Sequence, residues 1–139
     1  MTAPLAADLL TEVTVRVRYA ETDQMGIVYH ANYFVWFEIA RCELLRRSGT
    51  SYGELERRDG IALPVIEARC EYLQPSRYDD ELAVRARGQR LSRARLAFEY
   101  EVVRSWDMAL LARGRTVHAA TNQSGRPCRL PERIRLLFP

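Results

Sequence analysis

Apolar and polar residues alternate along one stretch near the start of the chain. The apolar positions of this stretch are Val13, Val15, Val17 and Tyr19. A period of two residues is typical of a strand with one buried face. We therefore predict a strand that begins at Val13, preceded by a loose leader over residues 1–11.

The hydrophobic period lengthens after position 31. The apolar residues that recur at helical spacing are Tyr33, Phe37, Ala40 and Leu44. Asn32 is suited to cap a helix at its start, and Ser48 with Gly49 is suited to end it. Residues 34–36 are also apolar and widen the buried face, so the pattern predicts a central helix of about four turns wrapped by other structure.

The rest of the chain is predicted to consist mainly of strands. These strands cover residues 61–73, 82–86, 96–102 and 110–121. A weaker helical segment is predicted over residues 52–58, and the C-terminal tail, residues 127–139, is predicted to contain one helical turn. Because strand–helix alternation does not recur, the pattern favours a single α+β domain over residues 1–139, with a curved antiparallel β-sheet around one long central helix.

The composition is that of an ordinary globular protein, with 47% hydrophobic and 28% charged residues. No apolar run approaches the ~18 residues of a membrane-spanning helix, and the first ten residues lack the basic start of a secretory signal. The three cysteines show no paired spacing and are expected to be free. We therefore expect a cytoplasmic protein without a membrane span.

All 21 basic residues are arginine. The absence of lysine excludes Schiff-base chemistry and a Walker-type phosphate site. The net charge of +3 is too small to indicate a nucleic-acid partner. The sequence contains no GxSxG or HExxH motif, and His30 and His118 do not have metal-site spacing, so we expect neither a serine nucleophile nor a metal site.

The junction between the first predicted strand and the predicted helix carries an acid, a glycine and a histidine, namely Asp23, Gly26 and His30. On residue type alone, Asp23 is most simply a turn former and His30 a structural histidine. Gly26, however, permits a close approach of backbone or ligand, and the free N–H groups of a helix start can stabilise an oxyanion. An acid beside such a helix start could act on a carbonyl group bound there.

A second candidate feature is the arginine-rich segment RARGQRLSRAR, residues 85–95. One interpretation is a solvated surface at a turn between two strands. The other is a rim that binds phosphate groups through bidentate arginine contacts. The sequence pattern does not decide between them.

The segment YAETDQMGIVYHANYFVWFEIAR resembles the signature of the hotdog-fold acyl-CoA thioesterases of the 4-hydroxybenzoyl-CoA thioesterase type. It is most similar to the branch of bacterial acyl-CoA thioesterases found with the Tol–Pal system. The signature D-x-x-G-x-V-x-[HY]-x-x-Y falls on Asp23, Gly26, Val28, His30 and Tyr33. The segment PVIEARCEYLQPSRYDDEL is similar to the strand and turn that follow the family's helix. The resemblance therefore covers residues 13–121 and implies a hotdog fold.

The resemblance implies an enzyme, a thioester hydrolase that releases a carboxylic acid and CoA. The family's catalytic carboxylate falls on Asp23, which would act as a nucleophile or as a general base on water. The backbone N–H of His30 would polarise the thioester carbonyl. Gly26, Tyr29 and Asn32 are the implied substrate-binding residues nearby.

The resemblance also implies that Ser92, Arg93 and Arg95, at a turn between strands, hold the phosphates of CoA. Coenzyme A is then part of the substrate, and no separate cofactor is expected. Members of the family form homodimers or homotetramers with active sites between two subunits, and we expect the same assembly for this chain.

Two alternatives stay open from the sequence. One is a thioesterase that acts on acyl carrier protein in a biosynthetic pathway, and the other is a non-catalytic hotdog domain that binds acyl-CoA. Asp23 argues mildly against both, because carrier-protein enzymes of this fold often lack the acid and a binding domain does not need it. The acyl group is not predicted. The aromatic side chains within residues 33–37 could line an acyl tunnel, although a core role is favoured for most of them.

Overall fold

The computed structural model describes residues 10–139. Its strands are β1 (Leu10–Arg16), β2 (Val65–Tyr72), β3 (Glu81–Arg90), β4 (Arg95–Arg104) and β5 (Leu110–Ala119). Its α-helices are α1 (Asn32–Arg47), the single turn α2 (Tyr52–Glu54) and α3 (Glu132–Leu137), and a π-helical turn at Leu55–Asp59 continues α2. The strands form one antiparallel sheet in the order β1-β3-β4-β5-β2. The predicted α+β architecture is confirmed.

The first strand differs from its prediction at both ends. It begins at Leu10, so residues 10 and 11 belong to the strand and not to the predicted leader. Residues 1–9 of that leader lie outside the described part of the chain. At the other end, the strand stops at Arg16, and Tyr19 begins a short 3₁₀ turn with 79% of its surface exposed. The prediction that Tyr19 is an inward-facing strand residue is therefore wrong.

The central helix follows its prediction closely, except at its first residue. It ends where expected, with Ser48 as its C-cap and Gly49 at a φ of 93°. Asn32, however, is the first helical residue and does not cap the helix. Ala31 occupies the cap position without a side-chain hydrogen bond, and the Asn32 amide donates to the Glu21 carbonyl instead, at 2.9 Å.

Helix α1 packs against the inner face of the sheet through its aromatic side chains. Trp36 and Phe37 are almost fully buried, which confirms the favoured core role for these two residues. The Phe37 ring stacks on Tyr100 of β4 at 4.3 Å between centroids. On the neighbouring strand, a Cβ atom at Gly114 would overlap the Phe37 ring. The helix can approach β5 closely because this position carries no side chain.

A directed chain of hydrogen bonds crosses this core beside Phe37. The buried Arg41 guanidinium donates to the Tyr100 hydroxyl at 3.0 Å, and Tyr100 contacts Thr116 at 2.6 Å. Thr116 in turn lies 2.9 Å from Nε2 of His118, while Nδ1 of His118 lies 2.9 Å from the Leu63 carbonyl. Since a carbonyl only accepts, Nδ1 carries the proton, and each hydroxyl then donates toward His118. The chain of hydrogen bonds requires a neutral His118.

We expect His118 to make the protein less stable in mild acid. Burial lowers the pKa of His118 from 6.5 to about 4. Between these values the unfolded chain binds a proton that the folded chain does not. The contribution of His118 to the free energy of unfolding is therefore complete above pH 6.5 and is lost as the pH falls toward 4. Between pH 7 and 4.5 the free energy of unfolding should fall by about 2–3 kcal/mol more in the wild type than in His118→Gln. Denaturant unfolding of both proteins at both pH values measures this difference, and parallel pH profiles would contradict it.

Candidate active site

The Asp23 loop is a tight hairpin between the 3₁₀ turn and α1. The Asp23 N–H donates to the Ile27 carbonyl, and the Gly26 N–H donates to the Asp23 carbonyl, both at 2.9 Å. Gly26 has a φ of 79°, which favours glycine, and a Cβ atom there would meet nothing within 4 Å. The positive φ of the turn therefore favours glycine at this position, and steric crowding within the subunit plays no part.

Asp23 is a half-buried residue of this hairpin. Its Oδ1 atom accepts a hydrogen bond from the Met25 N–H at 2.9 Å. Among residues 10–139, no hydrogen-bond donor or cation is bound to its other oxygen. One face of the carboxylate is thus fixed by the turn, and the other is available to a substrate or a water molecule.

The start of α1 provides two backbone donors. The N–H groups of Asn32, Tyr33 and Phe34 donate to carbonyls at positions 29, 30 and 31. The N–H groups of His30 and Ala31 have no acceptor within the part of the chain that the structure describes. These two groups lie at the positive end of the helix dipole, where an oxyanion is stabilised.

The His30 side chain is exposed and contacts two tyrosine rings. Its ring centroid lies 4.7 Å from that of Tyr29 and 6.1 Å from that of Tyr72. Tyr72 on β2 also donates from its hydroxyl to the His30 carbonyl at 2.9 Å. This bond fixes the peptide after His30, so β2 helps to orient the helix start. Sequence reasoning did not find Tyr72, which is 42 positions away.

A pocket of about 360 Å³ adjoins His30. Its lining residues are Ile27, Val28, His30, Tyr33, Tyr72, Leu73, Gln74 and Pro75. Burial raises the pKa of the Tyr33 hydroxyl, which contacts Ser76 at 2.8 Å and so stays a neutral hydrogen-bonding group. Asp23 does not line the pocket within one subunit. The hairpin bond to Ile27 nevertheless puts Asp23 beside a residue that does.

Glu21 is a further residue that sequence reasoning missed. It is only 6% exposed, and its carboxylate and carbonyl oxygens bond to residues on both sides of the Asp23 hairpin. Only one feature of the sequence indicates a buried acceptor such as Glu21, and it does so indirectly. A tryptophan on the buried face of α1, Trp36, needs an acceptor for its indole N–H.

The arginine turn, defined as Ser92, Arg93 and Arg95, joins β3 to β4. The Ser92 hydroxyl accepts from the Ala94 N–H at 3.2 Å, and both arginines are exposed. Within residues 10–139, neither guanidinium has a carboxylate within 4.0 Å. The turn therefore offers two uncompensated cations to an anionic ligand.

The arginine turn and the Asp23 hairpin lie at opposite ends of the sheet. The end of β1 near the hairpin pairs with the start of β3, where Arg16 lies beside Glu81. The arginine turn follows the other end of β3, where Arg90 pairs with Leu96. Ten strand residues separate these ends, which is about 30 Å. One subunit alone does not bring the two predicted parts of the site together.

No group of three or more His, Cys, Asp or Glu side chains among residues 10–139 could hold a metal ion. No helix in the same range is long and apolar enough to cross a membrane.

The sequence profile of the thioesterase-like superfamily matches residues 17–138. The chain belongs to this superfamily.

Named relatives agree with this assignment. The acyl-CoA thioesterase YbgC of Haemophilus influenzae is 31% identical over 126 residues, which are 89% of this chain and 90% of YbgC. The chloroplastic acyl-acyl carrier protein thioesterase ATL3 of Arabidopsis thaliana is 31% identical over 91% of this chain and 66% of its own. YneP of Bacillus subtilis is 46% identical over 70 residues, so that match spans only 50% of each chain.

Solved structures share the fold. A DHNA-CoA thioesterase from Staphylococcus aureus has a TM-score of 0.81 at 32% identity, over 87% of this chain and 80% of that one. The 1,4-dihydroxy-2-naphthoyl-CoA thioesterase Slr0204 from Synechocystis has a TM-score of 0.86 at 23% identity, over 93% and 95% of the two chains. The predicted hotdog fold and the predicted family are confirmed.

Proposed function

We propose that the chain is an acyl-CoA thioesterase that hydrolyses the thioester bond to a carboxylic acid and CoA. The observation that carries this proposal is the pair of N–H groups at His30 and Ala31, which have no acceptor within residues 10–139 and lie beside a pocket and next to the Asp23 hairpin. Family membership supports the reaction type. Asp23 and the His30 N–H are the proposed catalytic groups.

In this mechanism the thioester carbonyl oxygen accepts hydrogen bonds from the N–H groups of His30 and Ala31. Asp23 as a general base takes a proton from water while the water oxygen bonds to the carbonyl carbon. The oxyanion then collapses, the C–S bond breaks, and the CoA thiolate leaves and is protonated. Asp23 as a nucleophile bonds to the same carbon, the thiolate leaves, and water hydrolyses the mixed anhydride. Both routes use the same two donors.

Gly26, Tyr29 and Asn32 support this site in different ways. Gly26 permits the hairpin that presents Asp23, Tyr29 contacts the His30 ring, and Asn32 ties the helix start to Glu21. The chemistry needs no cofactor, because CoA belongs to the substrate. We assign the protein to the cytoplasm, where acyl-CoA is found and where its three free cysteines would stay reduced.

A homodimer is part of the proposal, and the exposed edge of the sheet supports it. Strand β2 is an edge strand of eight residues, and its outer backbone groups have no strand partner within residues 10–139. Such an edge is a template for pairing with another strand. Antiparallel pairing of β2 with the β2 of a second copy would form a two-fold symmetric interface. The pocket at Tyr72 lies at this edge.

The same two-fold pairing would complete the substrate site. The Val65 end of β2 lies at the end of the sheet that carries the arginine turn, and the Tyr72 end lies toward the pocket. In the antiparallel pair the second copy's β2 would run in the opposite direction. Its arginine turn would then lie on the side of the first copy's Asp23 hairpin. One subunit would then supply the chemistry, and the other would bind the CoA phosphates through Arg93 and Arg95. Two such dimers could pair further into a tetramer.

A carrier-protein substrate is a second candidate, because the relative ATL3 is an acyl-acyl carrier protein thioesterase. The exposed arginines at positions 93 and 95, which have no carboxylate partner in the described part of the chain, would suit the acidic surface of a carrier protein as well as CoA phosphates. Both substrates present the same thioester on a phosphopantetheine arm, so the catalytic groups would be shared.

Hydrolysis assays with matched substrates test the proposed function. Short, long and aromatic acyl groups are each presented on CoA, on acyl carrier protein and on pantetheine. We expect the highest kcat/KM with one acyl class on CoA, and a lower value for the same acyl group on pantetheine, which lacks the nucleotide phosphates. A preference for carrier protein would favour the second candidate. Absence of hydrolysis on all three carriers would contradict thioesterase activity.

A further inference from the structure

Glu21 is the only buried glutamate among residues 10–139, and no step of the proposed reaction uses it. Its Oε1 accepts from the Arg18 N–H at 2.8 Å, and its Oε2 accepts from the indole N–H of Trp36 at 3.1 Å. The Arg18 guanidinium lies 3.6 Å from Oε1. The carboxylate therefore joins the chain before the Asp23 hairpin to the second turn of α1.

The backbone of Glu21 makes a second set of bonds across the same junction. Its carbonyl accepts from the Tyr29 N–H at 2.8 Å and from the Asn32 side-chain amide at 2.9 Å. One residue thus bonds to the start of the hairpin, to its end and to the first two turns of α1. Asp23 lies two positions after Glu21, and His30 directly follows Tyr29.

We propose that Glu21 is a positioning residue that holds the Asp23 carboxylate in register with the backbone donor of His30. This inference rests on the proposed function, because it assigns Glu21 a role in the same site. Misplacement of a reacting group by about 1 Å can cost about 10²-fold in rate. Four hydrogen bonds to one buried residue are the means by which the fold limits such misplacement here.

The role requires a carboxylate and not merely a side chain of this size. Both oxygens of Glu21 face N–H donors, from Arg18 and from Trp36. A glutamine in the same rotamer would turn its NH₂ group toward one of these donors. Two donors would then face each other, and the N–H group of Arg18 or of Trp36 would lose its acceptor. Glu21→Gln therefore perturbs the positioning bonds with little change in volume.

The test measures kcat, KM and thermal unfolding for Glu21→Gln, with the best acyl-CoA from the substrate assays. We expect kcat to fall about 10- to 10²-fold while KM changes less than about threefold, since the pocket and the arginine turn are untouched. The matched control is Glu56→Gln, an exposed glutamate of the π-helical turn with no side-chain partner within residues 10–139. It should leave kcat unchanged. A Glu21→Gln enzyme with wild-type kcat would overturn the proposal.

A double variant separates positioning from general destabilisation. Trp36→Phe removes the indole donor, and the double variant Glu21→Gln/Trp36→Phe should lose less kcat than the product of the two single-variant losses, because the Glu21–Trp36 hydrogen bond is lost only once. Losses whose free energies add in full would overturn a shared positioning bond. Activities are expressed per folded molecule, so that a lower Tm in the Trp36 variants does not count as a lower kcat.

Amide hydrogen exchange tests the inference without using activity. In Glu21→Gln, exchange at Tyr29 and across residues 22–29 should accelerate about tenfold, equivalent to one lost hydrogen bond, while β3 and β4 keep their wild-type rates. Uniform acceleration along the chain, or no acceleration, would overturn the proposal. If the wild type hydrolysed no thioester, the proposed function alone would fail, and this measurement would still decide whether Glu21 holds the hairpin.

Discussion

Asp23→Asn is expected to lower kcat for acyl-CoA hydrolysis by about 10²- to 10⁴-fold, the range for loss of a general base, with more if Asp23 is the nucleophile. Asparagine is neutral at any pH, so it can neither take a proton from water nor attack the thioester. Its Oδ1 atom can still accept the Met25 N–H, so the hairpin should keep its shape. Binding of acyl-CoA should persist with a nearly unchanged Kd. Steady-state kinetics and calorimetric titration measure the two quantities separately.

The matched control for this substitution is Asp79→Asn. Asp79 is an exposed aspartate with a φ of 71°, a left-handed conformation that asparagine tolerates well. It is also close to the end of β1, where it lies 3.8 Å from Arg16. Loss of this surface ion pair should lower the free energy of unfolding only slightly. Equal rates for Asp23→Asn and the wild type would exclude the proposed mechanism.

His30→Ala provides the internal comparison. It removes the imidazole but keeps the backbone N–H, and the Tyr72 hydroxyl still has the carbonyl of residue 30 as acceptor. We therefore expect this variant to retain more activity than Asp23→Asn. If His30→Ala were as inactive as Asp23→Asn, the ring and not the backbone would be essential.

Local patterns were sufficient to predict the main elements and the position of the catalytic loop. The long helix follows from apolar residues spaced along one face, and its aromatic side chains at positions 36 and 37 are buried as favoured. Asp23, Gly26 and His30 are close together in sequence. Their placement between a strand and a helix could therefore be predicted without knowledge of tertiary contacts.

The contacts that organise the loop could not be predicted in the same way. Asn32 has the chemistry of a helix cap, but the Glu21 carbonyl is available to its side chain and the helix starts one residue earlier than a cap would allow. Tyr72 reaches the His30 carbonyl only because β2 passes beside the helix start. Both bonds depend on how distant segments pack, which a periodic pattern does not encode.

The arginine turn shows a different limit of the sequence. The resemblance assigns this turn, Ser92, Arg93 and Arg95, to the same site as Asp23. Within one subunit the turn is separated from the Asp23 hairpin by the length of β3. Strand order and register settle that separation, and neither can be obtained from the local pattern. In the proposed dimer, a second copy of the chain would supply one of these two parts to a shared substrate.

Mixed dimers test this arrangement directly. In an Arg93→Ala/Arg95→Ala dimer, KM for acyl-CoA should rise about 10- to 100-fold through loss of charge-assisted phosphate contacts, while a pantetheine thioester should be hydrolysed normally. A heterodimer of this variant with Asp23→Asn, purified through two different tags, contains one intact site if the site is shared between subunits. It should therefore have about half of the wild-type activity at low acyl-CoA concentration, although each parent dimer is impaired.

The complementary heterodimer makes the test decisive. It pairs a wild-type chain with a chain that carries all three substitutions, at positions 23, 93 and 95. If each site uses Asp23 of one subunit and the arginine turn of the other, this heterodimer has no intact site. If each subunit formed its own site, this heterodimer would keep about half of the wild-type activity, and the first heterodimer would recover none. The two heterodimers contain the same substitutions in the same numbers. Any difference between their activities must therefore come from which subunit carries the substitutions, and the proposed assembly requires the first heterodimer to be the active one.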